Sequence, residues 1–484
     1  MSLARGAARG VAWNFATVLA ERSFGFLILG LLLRVIPASV VGLIAIASAI
    51  SDLARLVANS GAAEQVQANP GDRDVEAGAF WSQFLASLLF MAALFAAAPA
   101  IARLYAQPEL AWVLRIMGLN VVMTSFILVP SARLMSQFRF KALGLMSLGS
   151  TISGGLVALP FAYTGHGVAA MMYQRMVGVA FYAIGAAIAA RWAPPRLPSF
   201  PVLRESFRFS LPLMEATFVD YISITGYVML VGLRMPVVAL GEFRIAQRLA
   251  EVLQEVAFMP ARKVFMPVFV AVRHDNDRRF ETTRQMLDVL SLVVFFVCAV
   301  SGAAARPIVL LMFGHKWQAA VPVFAIITLM VPAGALYSVI NPLLTSAGRT
   351  RMVSLYAWAN VATIAAAAWF AAPYGLLALA WALAGRGVTA VGLFVLALRQ
   401  GLGRPVGAIL RLIVVPCIAM AAARLGAWLV LGTLPGMELV AQLLVACSVA
   451  TAIFGAVALT LAPRRIIGAV TRLHSALLGA KPET

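Results

Sequence analysis

Residues 241–258 read GEFRIAQRLAEVLQEVAF. Arg244, Arg248, Glu251 and Glu255 recur there at spacings of four, three and four, which puts all four on one face of a helix. Such a stripe is ordinary on a soluble helix, but the chain around it is not that of a soluble protein. Of its 484 residues 62% are hydrophobic and 12% charged, and its mean hydropathy is +0.92. A soluble domain carries about 25% charged residues. Half that value over so long a chain leaves too little polar surface to face water, so the solvent is lipid. A charge at the centre of a spanning helix costs at least about 2.5 kcal/mol. The 241–258 stripe therefore has to face the protein interior or a watery cavity.

Outward from this stretch, apolar runs of about the 20 residues that a spanning helix needs fall at 10–33, 38–58, 79–101, 111–131, 143–163, 167–190, 210–233 and 237–259. They continue at 285–305, 319–342, 353–372, 374–397, 406–431 and 438–461. The expected fold is all-α and integral to the membrane, with about fourteen spans. The formal charge of +19 does not call for nucleic acid, because inner loops of membrane proteins are rich in Lys and Arg. With the N-terminus inside, the inner loops hold Arg133, Arg139 and Lys141, then Arg191, Arg196, Arg204 and Arg208, then Arg262 to Arg284. Arg349, Arg351, Arg399 and Arg404 follow, and the tail adds Arg464, Arg465, Arg472 and Lys481. Outer loops keep little beyond Arg34, Arg103, Arg234, Arg306 and Lys316. Both termini are thus expected in the cytoplasm, and the first run is read as a span rather than a cleaved signal. Cys298, Cys417 and Cys447 sit in apolar runs and read as packing residues. His166, His274, His315 and His474 are scattered and suggest no metal site, and no cofactor is expected.

The chain also repeats itself. Arg34-Val-Ile-Pro37 followed by Gly42, Ile46, Ala47, Ile50 and Asp52 returns as Arg234-Met-Pro236 followed by Gly241, Ile245, Ala246, Leu249 and Glu251. From the glycine onward the offset is constant. The repeats join spans one and two, and spans seven and eight, so an even number of helices separates them and the halves point the same way. Parallel repeats about an axis along the membrane normal are one plan of transporter. The domains expected are a six-helix lobe at 1–190, a cytoplasmic linker at 191–209, a second six-helix lobe at 210–400, and two further spans with a tail at 401–484.

Intramembrane charge concentrates on the repeated pairs. Span one carries Asn14, Glu21 and Arg22; span two carries Ser48, Asp52 and Arg55; span seven carries Glu215, Thr217 and Asp220. Further arginines lie in spans six (Arg175), twelve (Arg386) and thirteen (Arg424). Two readings stand side by side. The charges pair with one another and lock the bundle, or they line a cavity for an anion, where the planar fork of arginine suits phosphate.

The stretches GVAWNFATVLAERSFGFLI (10–28) and LLLRVIPASVVGLIAIASAISDLARLVANSG (31–61) resemble the first two helices of a known family. SARLMSQFRFKALG (131–144), VLRESFRFSLPLM (202–214), FMPVFVAVRHDNDRRF (265–280), FGHKWQAAVPVF (313–324) and LLTSAGRTRM (343–352) resemble its later loops and helix flanks in order and spacing. The family is the polysaccharide transporter branch of the multidrug/oligosaccharidyl-lipid/polysaccharide exporters, which includes Wzx-type flippases of lipid-linked oligosaccharides. The resemblance implies two six-helix lobes around a central cavity, two extra C-terminal helices and alternating access. It implies export of a polyprenyl-diphosphate-linked oligosaccharide across the bacterial cytoplasmic membrane. By helix position, Arg22, Arg55, Arg244 and Arg248 are then the substrate-binding candidates. Glu21, Asp52, Asp220, Glu251 and Glu255 are candidates for coupling to H+ or Na+ or for structural pairing. The implied partners are the lipid-linked substrate, membrane lipid and polysaccharide assembly enzymes. A multidrug antiporter would want a cavity of the opposite sign. A membrane polymerase or ligase would need catalytic side chains in outer loops that are short and nearly free of acidic residues.

Overall fold

The computed structural model describes residues 2–59, 61–69, 71–402, 406–434 and 436–463. They are helical nearly throughout, with no strand among them. In order the helices are α1 (Ser2–Val35), α2 (Ala38–Asn59), α3 (Ala62–Ala68), α4 (Arg73–Leu104), α5 (Leu110–Ser136), α6 (Phe140–Tyr163) and α7 (Gly167–Ala190). Then come α8 (Phe200–Tyr221), α9 (Tyr227–Arg234), α10 (Val237–Ala257), α11 (Met259–Ala271), α12 (Asn276–Ala303) and α13 (Ala305–Phe313). The last are α14 (Ala320–Ile327), α15 (Val331–Tyr337), α16 (Ile340–Ser346), α17 (Thr350–Ala371), α18 (Leu376–Leu402), α19 (Gly407–Thr433) and α20 (Leu439–Leu461). Arg404, Arg464, Arg465, Arg472, His474 and Lys481 lie outside the described residues, as do the side chains of Asn14, Glu215 and Asp220.

Ten of these segments are long and apolar enough to cross a membrane among the described residues, so the chain is a multi-pass membrane protein: α4, α5, α6, α7, α12, the α14–α16 run, α17, α18, α19 and α20. The other four expected spans are helical too, as α1, α2, α8 with α9, and α10, but fall outside that test. They are the two repeated pairs. α10 carries Glu242, Arg244, Arg248, Glu251 and Glu255 in one helix, whereas Ala38–Leu53 of α2 is apolar and shorter than the test requires.

Proline punctuates both repeats at the same place. α1 ends just before Pro37 and α9 just before Pro236, where Met235 is extended, as the residue ahead of a proline is driven to be. α2 and α10 then restart at Ala38 and Val237, the same offset that separates Gly42 from Gly241. Each is followed by a short helix that hydropathy alone did not mark, α3 and α11.

By internal packing the chain divides into Met1–Gly241 and Glu242–Thr484. In the first unit α6 lies along α7 and α1, α4 lies along α5, and α8 packs on α2 and α4. Phe80 anchors an aromatic cluster, its ring 5.2 Å from Trp192 and 5.5 Å from Phe126. The Trp81 indole donates to the Pro195 carbonyl at 3.0 Å, which ties the 191–199 segment to α4. Helix resumes at Phe200, ten residues ahead of the expected seventh span, and continues through a wider π turn at Ile222–Gly226. In the second unit α19 and α20 lie along each other and along α12, and α17 pairs with α18. The tenth span is broken into α14, α15 and α16, where Pro322, Pro332 and Pro342 each remove a backbone donor. Cys298 is buried as expected. Cys417 is exposed, on a face of α19 that borders an apolar cavity rather than close packing, and Cys447 is half-buried.

Candidate functional site

A carboxylate in each unit is gripped by two guanidinium groups. On α10 one heptad separates Arg244 from Glu251, with Arg248 between them, so helical geometry stacks the three on one face. Arg244 Nη1 donates to Glu251 Oε1 at 2.7 Å, and Arg248 Nη1 donates to Glu251 Oε2 at 3.0 Å. Each carboxylate oxygen thus serves a different arginine. The three side chains are 27%, 35% and 25% exposed, so they border open space rather than close packing. Glu255 lies one turn further on, half-buried and with contacts of its own.

The first unit repeats the theme with different donors. Asp52 on α2 has Arg55 Nη2 at 3.4 Å from Oδ1, one turn along the same helix. Arg175 Nη1, projecting from α7, is 3.8 Å from the same oxygen and also 3.8 Å from the Met117 sulfur on α5. These groups are 29% to 43% exposed. Asp52 and Glu251 stand at matching positions of the repeat, at the offset that relates Gly42 to Gly241. Among the described residues each of these two carboxylates meets two guanidinium groups.

Of the residues expected in the site, Arg55 and Asp52 come together in one unit, and Arg244, Arg248 and Glu251 in the other. Arg22 is exposed on α1 and has a contact of its own, and Glu21 beside it is half-buried. Asp220 falls on a side chain outside those described. Arg175 was visible in the sequence only as an arginine inside an apolar run. Its place beside Asp52 depends on how α7 packs against α2 and α5, which no spacing reveals. A separate apolar cavity of about 380 Å³ between α15, α18 and α19 is lined by residues such as Leu336, Phe394, Ile413 and Cys417, and holds none of these charges.

Known proteins share both the sequence pattern and the fold. Residues 31–322 match the family described as polysaccharide biosynthesis protein. The succinoglycan biosynthesis transport protein ExoT of Rhizobium meliloti (strain 1021) is 24% identical over 80% of this chain and 79% of its own length. The teichuronic acid biosynthesis protein TuaB of Bacillus subtilis (strain 168) is 21% identical over 54% of each. Among solved structures, the lipid II flippase MurJ in an inward closed conformation has a TM-score of 0.74 at 12% identity, covering 94% of this chain and all of its own. An inward-facing multidrug resistance transporter of the MATE family and MOP superfamily has a TM-score of 0.61 at 12% identity, covering 82% of this chain and 98% of that one. At such identities the structural likeness is one of fold.

Proposed function

We propose, because the chain belongs to the polysaccharide biosynthesis protein family, that it moves an anionic, lipid-linked oligosaccharide unit across the bacterial cytoplasmic membrane by alternating access. The observation that carries this reading is the paired excess of guanidinium. Arg55 with Arg175, and Arg244 with Arg248, each outnumber the carboxylate they share. A forked cation offers two parallel hydrogen bonds to a phosphate, as in a polyprenyl diphosphate. A transport protein for succinoglycan and a flippase for lipid II among the similar proteins support transport over an enzymatic role. The likeness to a multidrug transporter is one of fold, and the sign of charge in both clusters disfavours a cationic drug.

In this reading the chain crosses the membrane fourteen times with both termini in the cytoplasm. The working lobes are 1–190 and 210–400, joined by 191–209, with 401–484 appended. Arg22, Arg55, Arg244 and Arg248 contact substrate, and Arg175 joins them. Coupling to H+ or Na+ would run through Glu21, Asp52, Asp220 or Glu251. The test is a strain lacking this protein, in which carrier-linked oligosaccharide should accumulate on the cytoplasmic side. Full-length protein should clear it, and Arg244→Ala at normal membrane abundance should not. No accumulation in the deletion strain would refute the reading.

A further inference from the structure

We propose that Asp52 and Glu251 are built-in counter-anions, which occupy the arginines of the empty transporter and are displaced by an oxyanionic group of the substrate. The inference deepens the anionic-substrate reading and rests on it. The two repeats share the carboxylate but not the cations. Asp52 and Glu251 match, whereas Arg55 lies one turn beyond its carboxylate, Arg175 comes from α7, and Arg244 and Arg248 precede theirs on α10. A fixed acceptor with donors recruited from different places is what results when the anion position is the functional element. A carboxylate serving only to neutralise a structural cation would be matched one to one.

The geometry on α10 shows what would replace it. Glu251 spans Arg244 and Arg248 with one oxygen each, at 2.7 and 3.0 Å. A phosphate, or the carboxylate of an acidic sugar, presents two oxygens in the same way. Exchange keeps both guanidinium groups paired before substrate arrives and after it leaves, and the displaced carboxylate, already about a quarter exposed, turns to water. An internal competitor also lowers apparent affinity by the fraction of clusters that are unoccupied. That suits a carrier that must release what it binds.

The experiment is calorimetric titration of the purified full-length protein in lipid nanodiscs with sodium pyrophosphate and, separately, with glucuronate. Glu251→Gln keeps the shape of the side chain and removes its charge, and should tighten oxyanion binding roughly tenfold or more by removing the competitor. Asp52→Asn, in the other unit, should do the same independently. Glu242→Gln removes one charge from the same helix outside the cluster and should shift affinity less than about twofold, which separates displacement from a general change of potential. Preference for pyrophosphate assigns the clusters to the diphosphate, and preference for glucuronate assigns them to the sugar. If wild-type protein binds a probe while Glu251→Gln and Asp52→Asn leave affinity unchanged or weaker at unchanged thermal stability, the counter-anion role is wrong and the anion reading stands. The counter-anion role fails equally if Glu242→Gln tightens binding as much as Glu251→Gln. If neither wild type nor either variant binds either probe, both fail together.

Discussion

A Cβ added at Gly42 would sit 2.0 Å from the Val237 carbonyl oxygen, and one added at Gly241 would sit 2.0 Å from that of Ala38. Ala38 and Val237 are themselves repeat equivalents, so the two contacts are reciprocal: each glycine admits the first turn of the other repeat's helix. Neither backbone can yield without moving a helix, and Gly42→Val or Gly241→Val should destabilise the protein by about 1–3 kcal/mol or more. Thermal melting in detergent checks this, and an unchanged midpoint for both would contradict the close crossing. The sequence marked these glycines as repeat positions, but that they face one another is a tertiary fact. The arginines present a different question at the same scale. If Arg248 holds substrate, Arg248→Ala at normal abundance should cut export about ten- to hundredfold, the loss expected for a charge-assisted hydrogen bond. Arg248→Lys should recover only part, since it keeps charge but loses the fork. If Arg248 only helps to balance Glu251, Arg248→Ala should leave export per molecule unchanged and lower only abundance, since Arg244 still holds that carboxylate at 2.7 Å. Abundance and export measured together separate these outcomes.

Hydropathy located helices well wherever lipid surrounds them, because there the apolar run is the only determinant of length. It did less well where protein or the membrane surface supplies the partner. Residues 200–209 are charged enough to look like linker, yet they extend α8, whose buried Ser206 and Ser210 are held against Gly78 and Gly61. α3, α11 and the breaks within the tenth span were likewise invisible to a 20-residue window. At this scale Arg424 on α19 is the instructive charge. Its Nη1 donates to the Ala325 carbonyl at 3.0 Å and its Nη2 to the Cys298 carbonyl at 2.9 Å and to the Thr328 hydroxyl. The guanidinium lies over Gly302, where a Cβ would collide with it. One side chain thereby fastens α19 to α12 and to the end of α14, where the tenth span breaks and carbonyls are short of donors. The role is structural, and it explains an intramembrane arginine that has no part in either carboxylate cluster. Arg424→Ala should lower stability by about 2 kcal/mol or more, since several hydrogen bonds to a charged group vanish at once. Arg424→Met, which refills the space and buries no charge, should lose less. Equal losses would argue that the hydrogen bonds, rather than the packing, hold the helix.

For the molecule as a whole, loop charge is the quantity that sets orientation, because Lys and Arg flanking short loops resist translocation while Asp and Glu contribute little. The turn between α11 and α12 carries Arg273, and the first turns of α12 carry Arg278, Arg279 and Arg284; among the described residues Arg278 pairs with exposed Asp275 and Arg284 with exposed Glu281. Such surface pairs contribute little energy, so these charges are free to act on orientation, and the cytoplasmic side is the one expected for them. The segment between α13 and α14, by contrast, offers Lys316 alone, lying 5.9 Å from the Trp317 ring, and burial lowers the pKa of its ammonium group. A loop whose one cation is already partly desolvated is a poor anchor for the cytoplasmic side. Reporter fusions after Arg279 should therefore be active only in a cytoplasmic assay, and fusions after Trp317 only in a periplasmic one. The two positions are separated by α12, a single apolar span, so they must differ whatever happens upstream. Their absolute sides depend on every span before them. Four of those, α1, α2, α8 with α9, and α10, are the helices of the repeat and stand outside the ten that meet the length and hydropathy test among the described residues. Opposite results at both positions would mean that an odd number of these four does not span. The charged repeats would then be surface elements, and the two carboxylate clusters would lose their place within the membrane.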